Sequence, residues 1–279
     1  MNSSVYQPEY DFSNLKLVSA LDELPLWSAP FGLKLLDTVA MKRNMQVLDV
    51  GCGMGFPLLE LANRLGSSCH ITGIDLWEQA LDRLRKKLAF HRIKNVTLLC
   101  QNAEDVSLEK DYFDLIISNN GINNVKSPEA VLATCFRAAK SGAQLVITVN
   151  LPDTMIEFYS IYQQLLQELG MDGIVDKLAA HIHHKRRPID ETVGMLENAG
   201  FTVADVWQDT FYIRCLDGSA MFRHFLIQIA FLESWVDLLP SERIDEIFTE
   251  LEHRLNSAAD RNGELRLTIP WVCLDAYKR

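Results

Sequence analysis

Three glycines spaced two residues apart, Gly51, Gly53 and Gly55, follow directly on a short apolar run that carries one carboxylate, Asp49. Glycine lets backbone come close to a ligand where a Cβ would obstruct it, so a strand, this turn and the helix opening at Pro57 read as a nucleotide cradle. A second apolar run, 69–74, closes on Asp75, twenty residues after Gly55. A carboxylate at such a strand end can accept hydrogen bonds from both hydroxyls of a ribose. A dinucleotide turn of the form G-x-G-x-x-G would need its third glycine where this chain has Phe56; the turn here is G-x-G-x-G.

Two more polar stretches follow strand-like runs. Gln101-Asn102-Ala103-Glu104-Asp105 comes after 96–100, and Ser118-Asn119-Asn120-Gly121-Ile122-Asn123-Asn124 after 112–118. The first suits recognition of an adenine amino group, or equally a turn that caps a short helix. The second is rich in asparagine, which is neutral at every working pH and can orient a substrate without acting as a base. A structural turn is the alternative for Asn123 and Asn124.

Together these segments resemble the S-adenosylmethionine (SAM) site of class I methyltransferases, most closely the small-molecule enzymes of the ubiquinone/menaquinone-biosynthesis type. The resemblance is specific over about 45–150. It implies SAM as cofactor, S-adenosylhomocysteine as product, and a donor site of Asp49, Gly51, Cys52, Gly53 and Gly55 in the turn. It further implies Asp75 and Leu76 at the ribose, Asn102, Ala103 and Glu104 at the adenine, and Trp27 from an N-terminal lid. Asn119 and Asn123 fall on the two asparagines of the family's S-N-x-x-x-N segment beside the donor methyl, with Asn123 on the acceptor side.

The elements that must position these residues alternate strand and helix, predicting an α/β fold: a doubly wound, Rossmann-like, seven-stranded, mostly parallel sheet with an antiparallel last strand and helical cap insertions. The expected divisions are an N-terminal helical lid (1–44), a SAM-binding core (45–150), a helical insertion (151–188), and the rest of the sheet (189–279) with a second insertion at about 217–256. Within the lid, helices are predicted at 15–24 and 33–41, with a break at 26–32. One amphipathic helix is predicted over 217–239, another over 241–255, and strands over 143–150 and 265–277. The aromatic insertions suggest an enclosed pocket for a small, largely apolar or aromatic acceptor, with Tyr159, Tyr162 and Phe222 in it. Packing on each other, or on a second copy in a homodimer, is the other use open to those residues.

No catalytic triad appears. Where the methyl acceptor carries a proton, His181, His183, His184 or His224 could serve as general base, and the sequence does not choose among them. The first three lie near each other, but no cysteine or carboxylate accompanies them at ligand spacing, so no metal is expected. A net charge of −10 across 279 residues disfavours nucleic acid as a partner. Six scattered cysteines without a C-x-x-C pair suit reduced thiols in a cytoplasmic protein. Residues 1–10 lack the basic start and apolar core of a signal peptide, and no apolar run reaches the length of a membrane span. The rival readings are an NAD(P)-dependent oxidoreductase on a related sheet and a SAM-binding module without catalysis.

Overall fold

The computed structural model describes residues 5–23 and 26–279; residues 1–4 and Leu24, the expected end of the first helix, lie outside the described residues. In chain order the elements are α1 (Leu15–Asp22), α2 (Ala29–Thr38), β1 (Gln46–Val50), α3 (Leu58–Leu65), β2 (His70–Asp75), α4 (Glu78–His91), β3 (Val96–Cys100), β4 (Phe113–Asn119), α5 (Pro128–Ala138), β5 (Ala139–Asn150), α6 (Ile156–Glu168), α7 (Asp172–Lys185), α8 (Ile189–Ala199), β6 (Phe201–Cys215), α9 (Gly218–Arg223), α10 (Phe225–Ile227), α11 (Glu233–Val236), α12 (Ile244–Asn262) and β7 (Leu265–Lys278). They fall into two units. A core unit holds Phe12–Leu151, Arg186–Asp209 and Trp271–Arg279; a helical unit holds 5–11, Pro152–Lys185 and Thr210–Pro270.

Among the described residues seven strands pair in the order β3-β2-β1-β4-β5-β7-β6. β1 runs parallel to both β2 and β4, β3 parallel to β2, and β5 parallel to β4, while β7 is antiparallel to β5. This is the doubly wound, mostly parallel sheet read from the sequence. The chain winds outward from β1 to β3 and returns to β4 on the other side of β1, so the winding direction reverses beside β1, where ligands bind in open sheets of this kind. Val47, Leu48 and Val50 in β1 and Leu115, Ile116 and Ile117 in β4 are buried, as near-continuous apolar strands covered on both faces should be.

Three boundaries differ from the sequence reading for identifiable reasons. α2 begins at Ala29, four residues before the expected start, because Pro30 falls in the first turn, where its missing N–H costs nothing. β5 begins at Ala139, four residues before the expected start, because Ser141-Gly142 is absorbed into the strand near a register shift between Phe113 and Leu115, with Gly142 at φ +78°. The predicted 217–239 helix is broken at His224, whose extended backbone separates α9 from α10; from Phe225 the backbone stays helical to Val236, with a π-helical turn over Gln228–Leu232 joining α10 to α11.

Aromatic side chains fill the middle of the helical unit. The Phe158 and Trp235 rings stack with centroids 4.0 Å apart, and Phe222 meets Phe158 and Phe248 edge-on. The Trp235 indole donates to the Tyr159 hydroxyl at 2.8 Å, and the Tyr162 hydroxyl donates to the Trp235 carbonyl at 3.2 Å. Each buried polar tip thereby has a partner, which burial requires. On the same unit, Tyr6 donates to Glu252 at 2.6 Å and lies against Phe222 and Phe248.

Candidate active site

The turn between β1 and α3 is shaped by three positive φ angles: Gly51 at +79°, Gly53 at +48° and Gly55 at +105°. The three serve different ends. A Cβ on Gly55 would lie 2.3 Å from Leu84 Cδ1, so this glycine lets the turn pack on α4. On Gly51 a Cβ would lie 3.1 Å from the Gly121 Cα, where the exit of β4 crosses the turn. On Gly53 it would meet nothing nearer than Asp75 Oδ2 at 4.0 Å, so the missing side chain leaves open space above the backbone. Pro57 is the N-cap of α3, one position earlier than the first helical turn. Phe56, at the place of a third dinucleotide glycine, packs its ring where a Cβ on Gly32 of α2 would lie, 2.3 Å from Phe56 Cε1.

Asp75 closes β2 beside that space. Its Oδ2 accepts from the Gly53 N–H at 2.8 Å and its Oδ1 from the Trp77 N–H at 2.9 Å. Both oxygens are thereby aimed, and each retains a lone pair for a ligand hydroxyl. Leu76, next along, is well exposed and offers its carbonyl to the Cys100 thiol at 3.6 Å. Trp77 sends its indole N–H to the Phe12 carbonyl at 3.1 Å. Asp22 of α1 pairs with Arg83 at 2.7 Å and Lys87 at 2.6 Å, so two cations of α4 hold the N-terminal segment in place.

Asp49, in β1, is fully buried, and neither carboxylate oxygen has a hydrogen-bond partner in the protein. Burial, reinforced by the negative charge of Asp75, pushes its carboxyl up to about 8. Cys52 is buried beside it, and burial, with Asp49 next in weight, raises its thiol well above the ordinary range.

The asparagines at the exit of β4 form one network. Asn119 donates to the Ser28 carbonyl at 3.2 Å and accepts from Thr148 Oγ1 at 2.9 Å. Asn123 donates to Asn120 Oδ1 at 2.8 Å and makes a second, short hydrogen bond to Asn150 Oδ1. The Asn124 side chain donates to the Asn120 carbonyl at 3.2 Å, a local turn contact. At the exit of β3, Asn102 Oδ1 accepts from the Glu104 N–H at 3.0 Å, while Glu104 accepts from the Lys126 and Ser127 amides at 2.7 and 3.1 Å. Those two side chains therefore build the turn, with Ala103 packed on the core between them. Trp27 is half-buried and meets Phe31 edge-on at 5.7 Å, and Phe31 in turn meets Trp271 at 5.1 Å.

The structure thus gathers Asp49, Gly51, Cys52, Gly53, Asp75, Asn119 and Asn123 at the C-terminal ends of neighbouring strands. Tyr159, Tyr162 and Phe222 are buried in the aromatic interior of the helical unit, where their rings and hydroxyls are taken up by each other and by Trp235. His181, His183 and His184 sit at the end of α7, and His224 Nδ1 accepts from the Leu226 N–H at 3.2 Å, capping α10. Sequence reasoning missed Gly121, on which a Cβ would lie 2.7 Å from the Val50 carbonyl, as well as Thr148 and Asn150, which hold the asparagines. A glycine inside an asparagine-rich strand exit was the available signal for the first.

A SAM molecule fits what these residues leave unfilled. The space over Gly53 is open, Asp75 is preset with two free lone pairs, and Asp49 is a buried acid without a protein donor, two residues before the turn that a cationic ligand would occupy.

A seven-stranded sheet in the order β3-β2-β1-β4-β5-β7-β6 with β7 antiparallel, a G-x-G-x-G turn after β1 and an acid at the end of β2 together make a class I methyltransferase architecture. Residues 41–210 match the family described as "Methyltransferase domain", and the chain belongs to that family of SAM-dependent methyltransferases. It is similar to the ubiquinone/menaquinone biosynthesis C-methyltransferase of Proteus mirabilis, 30% identical over 177 residues that cover 60% of this chain and 70% of that protein. The ubiquinone biosynthesis O-methyltransferase of Neisseria meningitidis serogroup C is 27% identical over 191 residues, 66% of this chain and 75% of that one. Among solved structures, a Haemonchus contortus phosphoethanolamine N-methyltransferase in complex with phosphomonomethylethanolamine and S-adenosylhomocysteine shares the fold with a TM-score of 0.53 at 17% identity, over 88% of this chain and 52% of that one. Family membership removes the nicotinamide-dependent alternative. No helix among the described residues is long and apolar enough to cross a membrane.

Proposed function

We propose that the chain transfers a methyl group from SAM to a small, largely apolar or aromatic acceptor in the cytoplasm. The observation that carries this reading is the Asp75 carboxylate, held by the Gly53 amide beneath open space. Similarity to methyltransferases named for quinone biosynthesis supports the nature of the acceptor.

When bound, SAM supplies an electrophilic methyl on a sulfonium, already activated for attack. The protein's own work is alignment and exclusion of water, worth up to about 7–11 kcal/mol of barrier when the geometry is near attack. Asp75 would accept from the ribose hydroxyls, and Gly53 would let the backbone lie close to the donor. Ala103 and the adjoining turn would border the adenine, with Asn102 and Glu104 keeping that turn in shape. Asn119 and Asn123, fixed by Thr148 and Asn150, would orient the reacting ends. α2, seated on Phe56, and Trp27 would shield the site from water. Where the acceptor must lose a proton, the candidates are His181, His183 and His184, since His224 is engaged as a cap.

Titration calorimetry with SAM, S-adenosylhomocysteine and NADH tests the donor. A set of phenols and quinols incubated with methyl-labelled SAM tests the acceptor. SAM and S-adenosylhomocysteine should bind and NADH should not. Label should move to an aromatic acceptor; binding of SAM with no transfer to any acceptor would leave a non-catalytic SAM module as the better reading.

A further inference from the structure

Asp49 carries a carboxyl group with neither solvent exposure nor a protein donor. Its surroundings offer no compensation. β2 contributes Asp75, a second negative charge; the turn contributes the buried Cys52 thiol; β4 sets the apolar Ile117 opposite it in register, and β2 sets Gly73. No lysine, arginine or histidine among the described residues acts on it. A charge so placed is costly, and a carboxyl in this position escapes the cost by keeping its proton.

We propose that Asp49 is a neutral carboxylic acid in the ligand-free protein and releases its proton to solvent when the cationic donor occupies the turn, making SAM binding a proton-linked step. The inference rests on the donor reading above and deepens it. The balance is simple: the O–H bond of the Asp49 carboxyl breaks, the electron pair stays on the oxygen, the proton goes to buffer, and the resulting anion faces the positive charge brought by the ligand. SAM carries a sulfonium that S-adenosylhomocysteine lacks, so the two ligands should differ. After transfer the sulfur is neutral, Asp49 regains its proton, and the product loses part of its hold. The acid would thus favour the charged donor over the spent product.

The test is calorimetry at pH 7 in buffers of different ionisation enthalpy, with SAM and S-adenosylhomocysteine as probes, beside infrared difference spectra of the free protein against Asp49→Asn. Expected are a release on the order of one proton with SAM and fewer with S-adenosylhomocysteine. SAM affinity should rise by up to roughly tenfold from pH 6 to pH 7, a dependence that Asp49→Asn removes. The free protein should show the carbonyl stretch of a neutral carboxylic acid, lost in Asp49→Asn. SAM binding without proton release, or an ionised Asp49 in the free protein at pH 6, overturns the inference. Failure of SAM to bind at all would instead refute the donor reading, and the infrared spectrum would still decide the state of Asp49. Should Asp49→Asn not fold, the buffer series on the wild type carries the test alone.

Discussion

The Gly53 amide donates to the Asp75 carboxylate at 2.8 Å, joining the glycine turn after β1 to the end of β2. This bond makes Asp75 both part of the turn's scaffold and a candidate ligand contact. The two roles separate by substitution. Asp75→Asn keeps an acceptor for the Gly53 N–H, whereas Asp75→Ala removes it. Loss of a charged acceptor for two hydroxyls should cost about 1.5–3 kcal/mol, so SAM binds roughly 10- to 150-fold more weakly to Asp75→Ala. Calorimetry giving wild-type affinity in a folded Asp75→Ala protein would exclude Asp75 from the donor site.

Gly53 and Gly121 should respond to alanine for different reasons. At Gly53 there is room, and the φ of +48° costs an L-residue about 1–2 kcal/mol, so Gly53→Ala folds with a modestly lower Tm while SAM affinity drops sharply. At Gly121 the Cβ would press on the Val50 carbonyl at 2.7 Å and Ser118 Oγ at 2.8 Å, an overpacking worth about 1–3 kcal/mol. Thermal melts with and without SAM distinguish the two.

The buried acid gives stability a pH signature. A free aspartate titrates near about 4, whereas Asp49 in the folded protein is pushed up to about 8. Between those values the folded state holds a proton that the unfolded chain has lost. The Asp49 contribution is therefore fully present below pH 4 and disappears as pH rises through 8. Urea midpoints of ligand-free protein should fall over that window relative to Asp49→Asn; parallel curves would mean that Asp49 does not titrate there.

In the helical unit, Tyr159→Phe deletes the acceptor of the Trp235 indole. Stability should drop by about 1–3 kcal/mol, seen as a lower urea midpoint with SAM affinity unchanged. A variant of unaltered stability with a raised KM for the methyl acceptor would instead assign Tyr159 to the substrate pocket.

What was legible in the sequence is what is local in the chain. Asp49, the glycine turn and Asp75 lie within 27 residues on one strand-turn-helix-strand unit, and their types announce both backbone conformation and chemistry. The sheet followed for the same reason, since apolar runs alternating with helical periods leave few topologies open. The supports of Asn119 were not legible: Ser28 lies 91 positions away and Thr148 lies 29 away, and neither residue type signals the contact. His224 shows the converse. A histidine in an amphipathic run invites a catalytic role, and only the three-dimensional chain reveals that it breaks the helix and caps the next turn. Tyr159, Tyr162 and Phe222 likewise carry no mark in sequence that separates an aromatic lining a pocket from one filling an interior.

Trp77 is tied at both ends: its backbone amide to Asp75 and its indole nitrogen to the Phe12 carbonyl. Any ligand that pulls on the Asp75 carboxylate therefore tugs on a fluorophore two residues away, whereas Trp235 and Trp271 are sealed from solvent. The protein has, in effect, an optical gauge wired to the expected ribose contact. The difference in emission between wild type and Trp77→Phe would report donor occupancy in real time, without label or turnover.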